Sequence, residues 1–175
     1  TNIEPIATNG TVTLGSSGDT FTLGSGVVQS NLNYPAFHAY LSSAQTVTDN
    51  TATKAQINTE ILDTDSCYDN TTNYRFTPTV AGKYLVYLAI ACEADANVIN
   101  DVSVYLYKNG VEYLEIRDNP VSSERGMDLG GSNIVDFNGT TDYVEVFGRI
   151  NVDSNTPSFS SATKSTYFGA YRIGS

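Results

Sequence analysis

The chain has 175 residues, 40% of them hydrophobic and 16% charged, with nineteen Asp and Glu against nine Lys and Arg for a net charge of −10. That length builds one sizeable core rather than two ordinary domains, and the composition is globular rather than disordered. The cations stand singly along the chain, so no basic patch suits a phosphate backbone, and no run of about 18 apolar residues offers a membrane span.

Residues 1–33 hold no Tyr, Lys or Arg and are rich in Gly, Ser, Thr and Asn. They contain a short repeat, Thr11-Val12-Thr13-Leu14-Gly15-Ser16 and Thr20-Phe21-Thr22-Leu23-Gly24-Ser25, nine residues apart. Alternation sends Val12, Leu14, Phe21 and Leu23 to one face. Strands this short cannot bury such a face alone, so they need a neighbour: the same segment in sister chains, or another protein. An ordered β segment is preferred over a flexible linker, and these four residues are the expected anchor. No basic start with an apolar stretch reads as a secretory leader.

From residue 34 to 175 one antiparallel β-domain is expected. Turn signals separate strands at 36–42, 54–62, 73–77, 82–93, 101–108, 111–117, 132–137, 141–150 and 165–173. Twelve Tyr and seven Phe support this, since aromatic side chains favour strands. In 82–93, Tyr84, Val86, Leu88 and Ile90 alternate with Leu85, Tyr87, Ala89 and Ala91, so both faces should be covered. Asn109-Gly110 predicts a type I′ hairpin, and Asn138-Gly139-Thr140 a second hairpin. Loops are expected at 65–72, 94–100, 118–131 and 151–164, and long loops on a rigid β scaffold carry recognition. No helix is expected.

The order of Phe37-His38-Ala39-Tyr40, Phe76, Ala81-Gly82-Lys83-Tyr84, Tyr107-Lys108-Asn109-Gly110 and Tyr167-Phe168-Gly169-Ala170-Tyr171 resembles the complement component 1q-like and tumour-necrosis-factor-like jelly-roll domains. The resemblance covers about residues 35–174. It implies an all-β, two-sheet antiparallel sandwich assembled as a homotrimer, which binds rather than catalyses. On that model Phe37, Tyr40, Tyr84, Val86, Tyr87, Phe168 and Tyr171 are candidates for the trimer interface. No Gly-X-Y collagen stalk precedes the domain. The Thr-rich repeat in its place resembles virion surface proteins of tailed bacteriophages, with an attachment segment followed by an outward knob. The implied roles are capsid decoration or head fibre, with residues 1–33 on a capsid or fibre protein, or a fibre tip recognising a host surface glycan or protein. A secreted cytokine-like or complement-like ligand is a further alternative. The location implied is the virion surface, otherwise extracellular.

Catalytic signals are weak. His38 is the sole histidine, and a structural role is preferred for it. Nucleophile elbows, phosphate loops and zinc-ligand spacings do not occur. Asp63, Asp65 and Asp69 form one candidate set for a hard cation such as calcium, and Glu93, Asp95 and Asp101 a second. The first set lacks the glycine and distal glutamate of an EF-hand, so a solvated turn is preferred there. No cofactor is expected. Asn9, Asn70 and Asn138 each open a glycosylation-type triplet. Cys67 and Cys92 read as two free thiols in preference to one bridge.

Overall fold

Strands account for the apolar alternation in the sequence. The computed structural model describes residues 34–174; residues 1–33, with Val12, Leu14, Phe21 and Leu23, lie outside the described residues. In chain order the strands are β1 (Ala36–Tyr40), β2 (Gln45–Thr46), β3 (Thr53–Lys54), β4 (Thr59–Asp63), β5 (Tyr68–Asp69), β6 (Arg75–Phe76), β7 (Gly82–Glu93), β8 (Ile99–Lys108), β9 (Val111–Asp118), β10 (Gly126–Phe137), β11 (Val144–Val152), β12 (Ser158–Phe159) and β13 (Tyr167–Gly174). Ala162–Lys164 is a single 3-10 turn.

Two sheets form a sandwich. The first runs β2-β12-β7-β13-β1-β4, with β10 along the other edge of β7; the second runs β5-β6-β11-β8-β9, with β3 also on β11. Every pairing is antiparallel. The core lies between the sheets. β7 contributes Tyr84, Val86, Leu88 and Ile90, and β8 contributes Val102, Val104 and Leu106. Phe37 anchors an aromatic cluster, stacked on Phe76 at 4.5 Å and Tyr68 at 4.6 Å, with Phe168 edge-on at 4.9 Å. Buried hydroxyls find partners: Tyr84 donates to the Val80 carbonyl and Tyr68 to that of Ile57, each at 2.7 Å. Cys67 and Cys92 are free and buried.

Several elements differ from the sequence expectation. The stretch 54–62 is two strands, not one: β3 lies in the second sheet and β4 in the first, and Ala55 and Ile57 are buried as the chain crosses. β10 begins at Gly126, well inside the expected 118–131 loop. Its Gly130-Gly131 pair lies mid-strand, where glycine weakens pairing. A Cβ on Gly130 would run into the Leu88 carbonyl and Ala89, so close packing requires glycine there, whereas one on Gly131 would meet only the tip of the Ile116 side chain. The 65–72 and 151–164 loops contain β5, β12 and the 3-10 turn.

Of the two expected hairpins, one forms. Asn109 and Gly110 both have positive φ, 53° and 78°, as a type I′ turn requires. Asn138-Gly139-Thr140 instead carries the chain between sheets, since β10 pairs β7 while β11 pairs β8. The Asn138 side-chain oxygen accepts the backbone N–H groups of Thr140, Thr141 and Asp142, a local cap that stands in for ladder bonds.

Candidate functional site

The outer face of the first sheet is built from cross-strand rows. One row runs Thr59, Tyr40, Tyr167, Ala89, Gly130; the next runs Leu62, His38, Gly169, Tyr87, Ser132; the third runs Ala36, Tyr171, Leu85, Ile134. None of these residues carries a fixed charge, in a chain of net charge −10. Leu62, Ile134 and Tyr171 are 47%, 50% and 36% exposed. Each row also holds a small residue, Ala89 and Gly130, Gly169 and Ser132, or Ala36, between the larger rings and aliphatic side chains.

At its centre the side chains of two strands meet over a third. His38 and Tyr87 both pair with Gly169, from opposite sides. A Cβ at Gly169 would run into the Tyr87 ring. With none there, Tyr87 lies across the strand, and its hydroxyl is hydrogen-bonded to His38 Nδ1 at 3.1 Å. Their rings stack at 5.7 Å, and Tyr167 flanks both. Burial raises the Tyr87 hydroxyl pKa, as do neighbouring Tyr171 and Tyr167. Burial lowers the pKa of His38, and the positive charge of Lys164 lowers it further. Lys164 sits 4.6 Å above the Tyr40 ring, held by a turn in which Thr163 and Lys164 both have positive φ.

A second feature is one end of the sandwich. β7 runs from Gly82, beside Phe137, to Glu93, beside Gly126 and Ser158. Tyr171 pairs with both Leu85 and Ala36, so the described chain starts near the Gly82 end. The loops 94–98, 119–125 and 153–157 gather at the Glu93 end. Glu124 exchanges backbone bonds with Ile99, Asp153 N–H donates to the Val98 carbonyl at 3.0 Å, and the Asn100 amide donates to Asp153 at 2.6 Å. Between them opens a polar cleft of about 340 Å³ lined by Glu93, Asp95, Arg125, Thr156 and Ser158.

No protein-family model and no curated protein sequence matches the chain. Solved structures do. One similar structure is Eiger TNF from S. frugiperda, with TM-score 0.56 and 13% identity over 81% of this chain and 94% of that one. Murine APRIL at pH 8.0 gives TM-score 0.56 and 12% identity, and at pH 5.0 gives 0.55 and 13%, each over 79% of this chain and 98% of APRIL. The fold is a TNF-like jelly roll.

Within this TNF-like roll the expected interface residues separate into two groups. Phe37, Tyr84, Val86 and Phe168 are at most 1% exposed and belong to the protomer's own core, so they cannot line a subunit contact. Tyr40, Tyr87 and Tyr171 lie on the outer face. Sequence reasoning did not single out Leu62, His38 or Ile134 for that face. Strand alternation alone would have placed Ile134, but Leu62 follows a bulge in the β1–β4 register.

The expected cation ligands are otherwise engaged or dispersed. Asp63 accepts the N–H groups of Cys67 and Tyr68, at 3.0 and 2.9 Å. Asp65 accepts the Thr64 hydroxyl. Asp69 accepts the N–H groups of Thr72, Thr71 and Asn73, which hold its carboxyl well below the usual range. Glu93 and Asp95 share the polar cleft with Arg125, but Asp101 lies on the outer face of the second sheet, bonded to Arg149, Arg117 and Asn151. Among the described residues no three His, Cys, Asp or Glu gather as metal ligands.

Proposed function

We propose that this is a non-enzymatic, homotrimeric jelly-roll knob on the surface of a phage particle, with the outer face of the first sheet as the contact between copies. The observation that carries the trimer is that face: three adjacent rows whose own residues bear no fixed charge, with Lys164 over Tyr40 at its margin and Leu62, Ile134 and Tyr171 open to solvent. A contiguous apolar surface of this kind marks an interaction site. A flat sheet face with small residues in each row suits close approach of another sheet or edge. The assembly needs no membrane insertion and no nucleic acid.

The particle role rests on the sequence resemblance and on the polarity of the roll. Residues 1–33 would attach the knob to a capsid or fibre protein, and the gathered loops would face outward. Capsid decoration or a short head fibre is the first reading, and a fibre tip recognising host glycan or protein is the second. The likeness to Eiger TNF and murine APRIL favours a further reading, a secreted cytokine-like ligand. Occupied glycosylation sites at Asn70 or Asn138 in natural material would support that reading over the particle.

Light scattering tests the trimer. The intact chain should run at about three times 18.8 kDa. Tyr171→Asp and Ile134→Asp should each give a folded species near 18.8 kDa, because each places a charge on the contact face. Trimers from both variants would refute this contact surface. Immunogold or cryo-EM labelling of particles tests location, with signal over capsid faces meaning decoration and signal at fibre ends meaning adhesion.

A further inference from the structure

We propose that His38 makes the association of these sheet faces pH-dependent, the neutral imidazole allowing copies to meet and the protonated imidazole separating them. This rests on the outer face of the first sheet being the contact between copies. The sole histidine of the chain sits in the middle row of that face, flanked across the sheet by Leu62 and Gly169. A neutral ring with a tyrosine hydroxyl on Nδ1 is compatible with burial there. An imidazolium is not, because burying a charge without a counter-charge is costly.

Among the described residues the groups around His38 offer no counter-charge. β7 presents Tyr87 and β13 presents Tyr167. From its own strand comes Tyr40, covered by Lys164, whose positive charge opposes protonation. β10 contributes Ser132 to the same row. The carboxylates of β4, Glu60 and Asp63, pair with Ala39 and Phe37, residues whose side chains point into the core on the opposite side of the sheet. Lys83 and Asp136 lie beyond the third row, joined to each other at 3.0 Å. Asp128 lies beyond the first row, opposite Ala91.

The sign follows from linkage. Covering the face would bury the imidazole further than the protomer alone does and lower its pKa again, so the assembled state holds fewer protons than separated protomers. Association is therefore strongest above the imidazole pKa of the separated protomer, itself lowered from 6.5 by burial and by Lys164, and is lost as pH falls below it. Each histidine can weaken association by up to about tenfold per pH unit, or about a thousandfold per unit for three copies acting together.

The experiment is sedimentation of the full chain and of His38→Gln at about pH 8 and pH 5.5, a window above ordinary carboxylate titration. Alongside it, NMR titration of the single imidazole at low and high protein concentration reads the site in the unaltered protein. Expected are a trimer at pH 8, lighter species at pH 5.5, a His38→Gln trimer at both, and a lower imidazole pKa at high concentration. A wild-type trimer unchanged at pH 5.5, or an imidazole pKa independent of concentration in a protein that trimerises, overturns the switch and leaves the trimer standing. Dissociation of both proteins in acid assigns the effect to another group and overturns the role of His38. A monomer at both pH values overturns the contact surface and the switch with it.

Discussion

Asp101 shows how a residue's role depends on partners distant in the chain. It sits in β8, almost buried, with Arg149 and Asn151 of β11 on one side and Arg117 of β9 on the other. Burial alone would raise its pKa, but the hydrogen bonds from Asn151 and Arg149 and the two guanidinium charges overcome this and hold it below the ordinary 3.8. Asp101→Ala should therefore cost about 2–4 kcal/mol at neutral pH, because it strands the Arg149 charge in a half-covered site. Urea denaturation checks this. The difference between wild type and variant should be full above about pH 4 and shrink as acid takes the pH through the folded pKa, since the depressed pKa stabilises only the ionised form. A pH-independent difference would mean packing, not charge. In the sequence Asp101 grouped with Glu93 and Asp95 as a cation site, because neighbours along the chain are what a sequence displays. Arg149 is 48 residues away, and only the β8–β11 register brings it into contact.

β7 was the most legible element, and its bounds are those expected, Gly82–Glu93. Strict alternation of two apolar sets predicts a central strand covered on both faces; among the described residues the inner set is buried and Leu85, Tyr87 and Ala89 of the outer set are half-buried. What alternation could not say is which set faces inward, because both are apolar and aromatic. The partner strands decide it: Tyr84 and Val86 meet Phe76, Phe137 and the second sheet, while Leu85 and Tyr87 face out. Val86→Asp therefore belongs to folding and not to assembly. A carboxylate between the sheets has no partner, and its cost of several kcal/mol is comparable with the total stability of about 5–15 kcal/mol of a domain. The expected result is insoluble protein or loss of the cooperative unfolding transition, seen by circular dichroism. A folded monomer from Val86→Asp would contradict the inward placement. β10 failed in the sequence for the opposite reason. Its Gly130-Gly131 pair gives no alternation to read, and only the pairing with β7 brings up the Leu88 carbonyl and Ala89, which leave no room for a side chain at Gly130.

At the scale of the molecule, the sequence suggested two parts but not how the second is oriented. The resemblance supplied a two-sheet roll, and the registers add polarity: the described chain starts near Gly82, and the three long loops gather around Glu93 at the other end. No local signal encodes that, because it depends on strand directions summed over both sheets. The polarity has a consequence for residues 1–33. If the copies meet through the outer face of the first sheet, every residue of that contact lies within 34–174, and the N-terminal repeat is not needed for it. A chain starting at Asn33 should then sediment as a trimer and unfold with the same denaturant midpoint as the full chain, yet fail to join particles. Retained incorporation would refute the anchor role of Val12, Leu14, Phe21 and Leu23. A shortened chain that runs as a monomer would move trimerisation into the repeat, and the outer face of the first sheet would then need a different occupant. The two outcomes separate because attachment, as proposed, draws on the Thr-rich repeat, and self-association on a sheet face whose aromatic rings and glycines are set by cross-strand register.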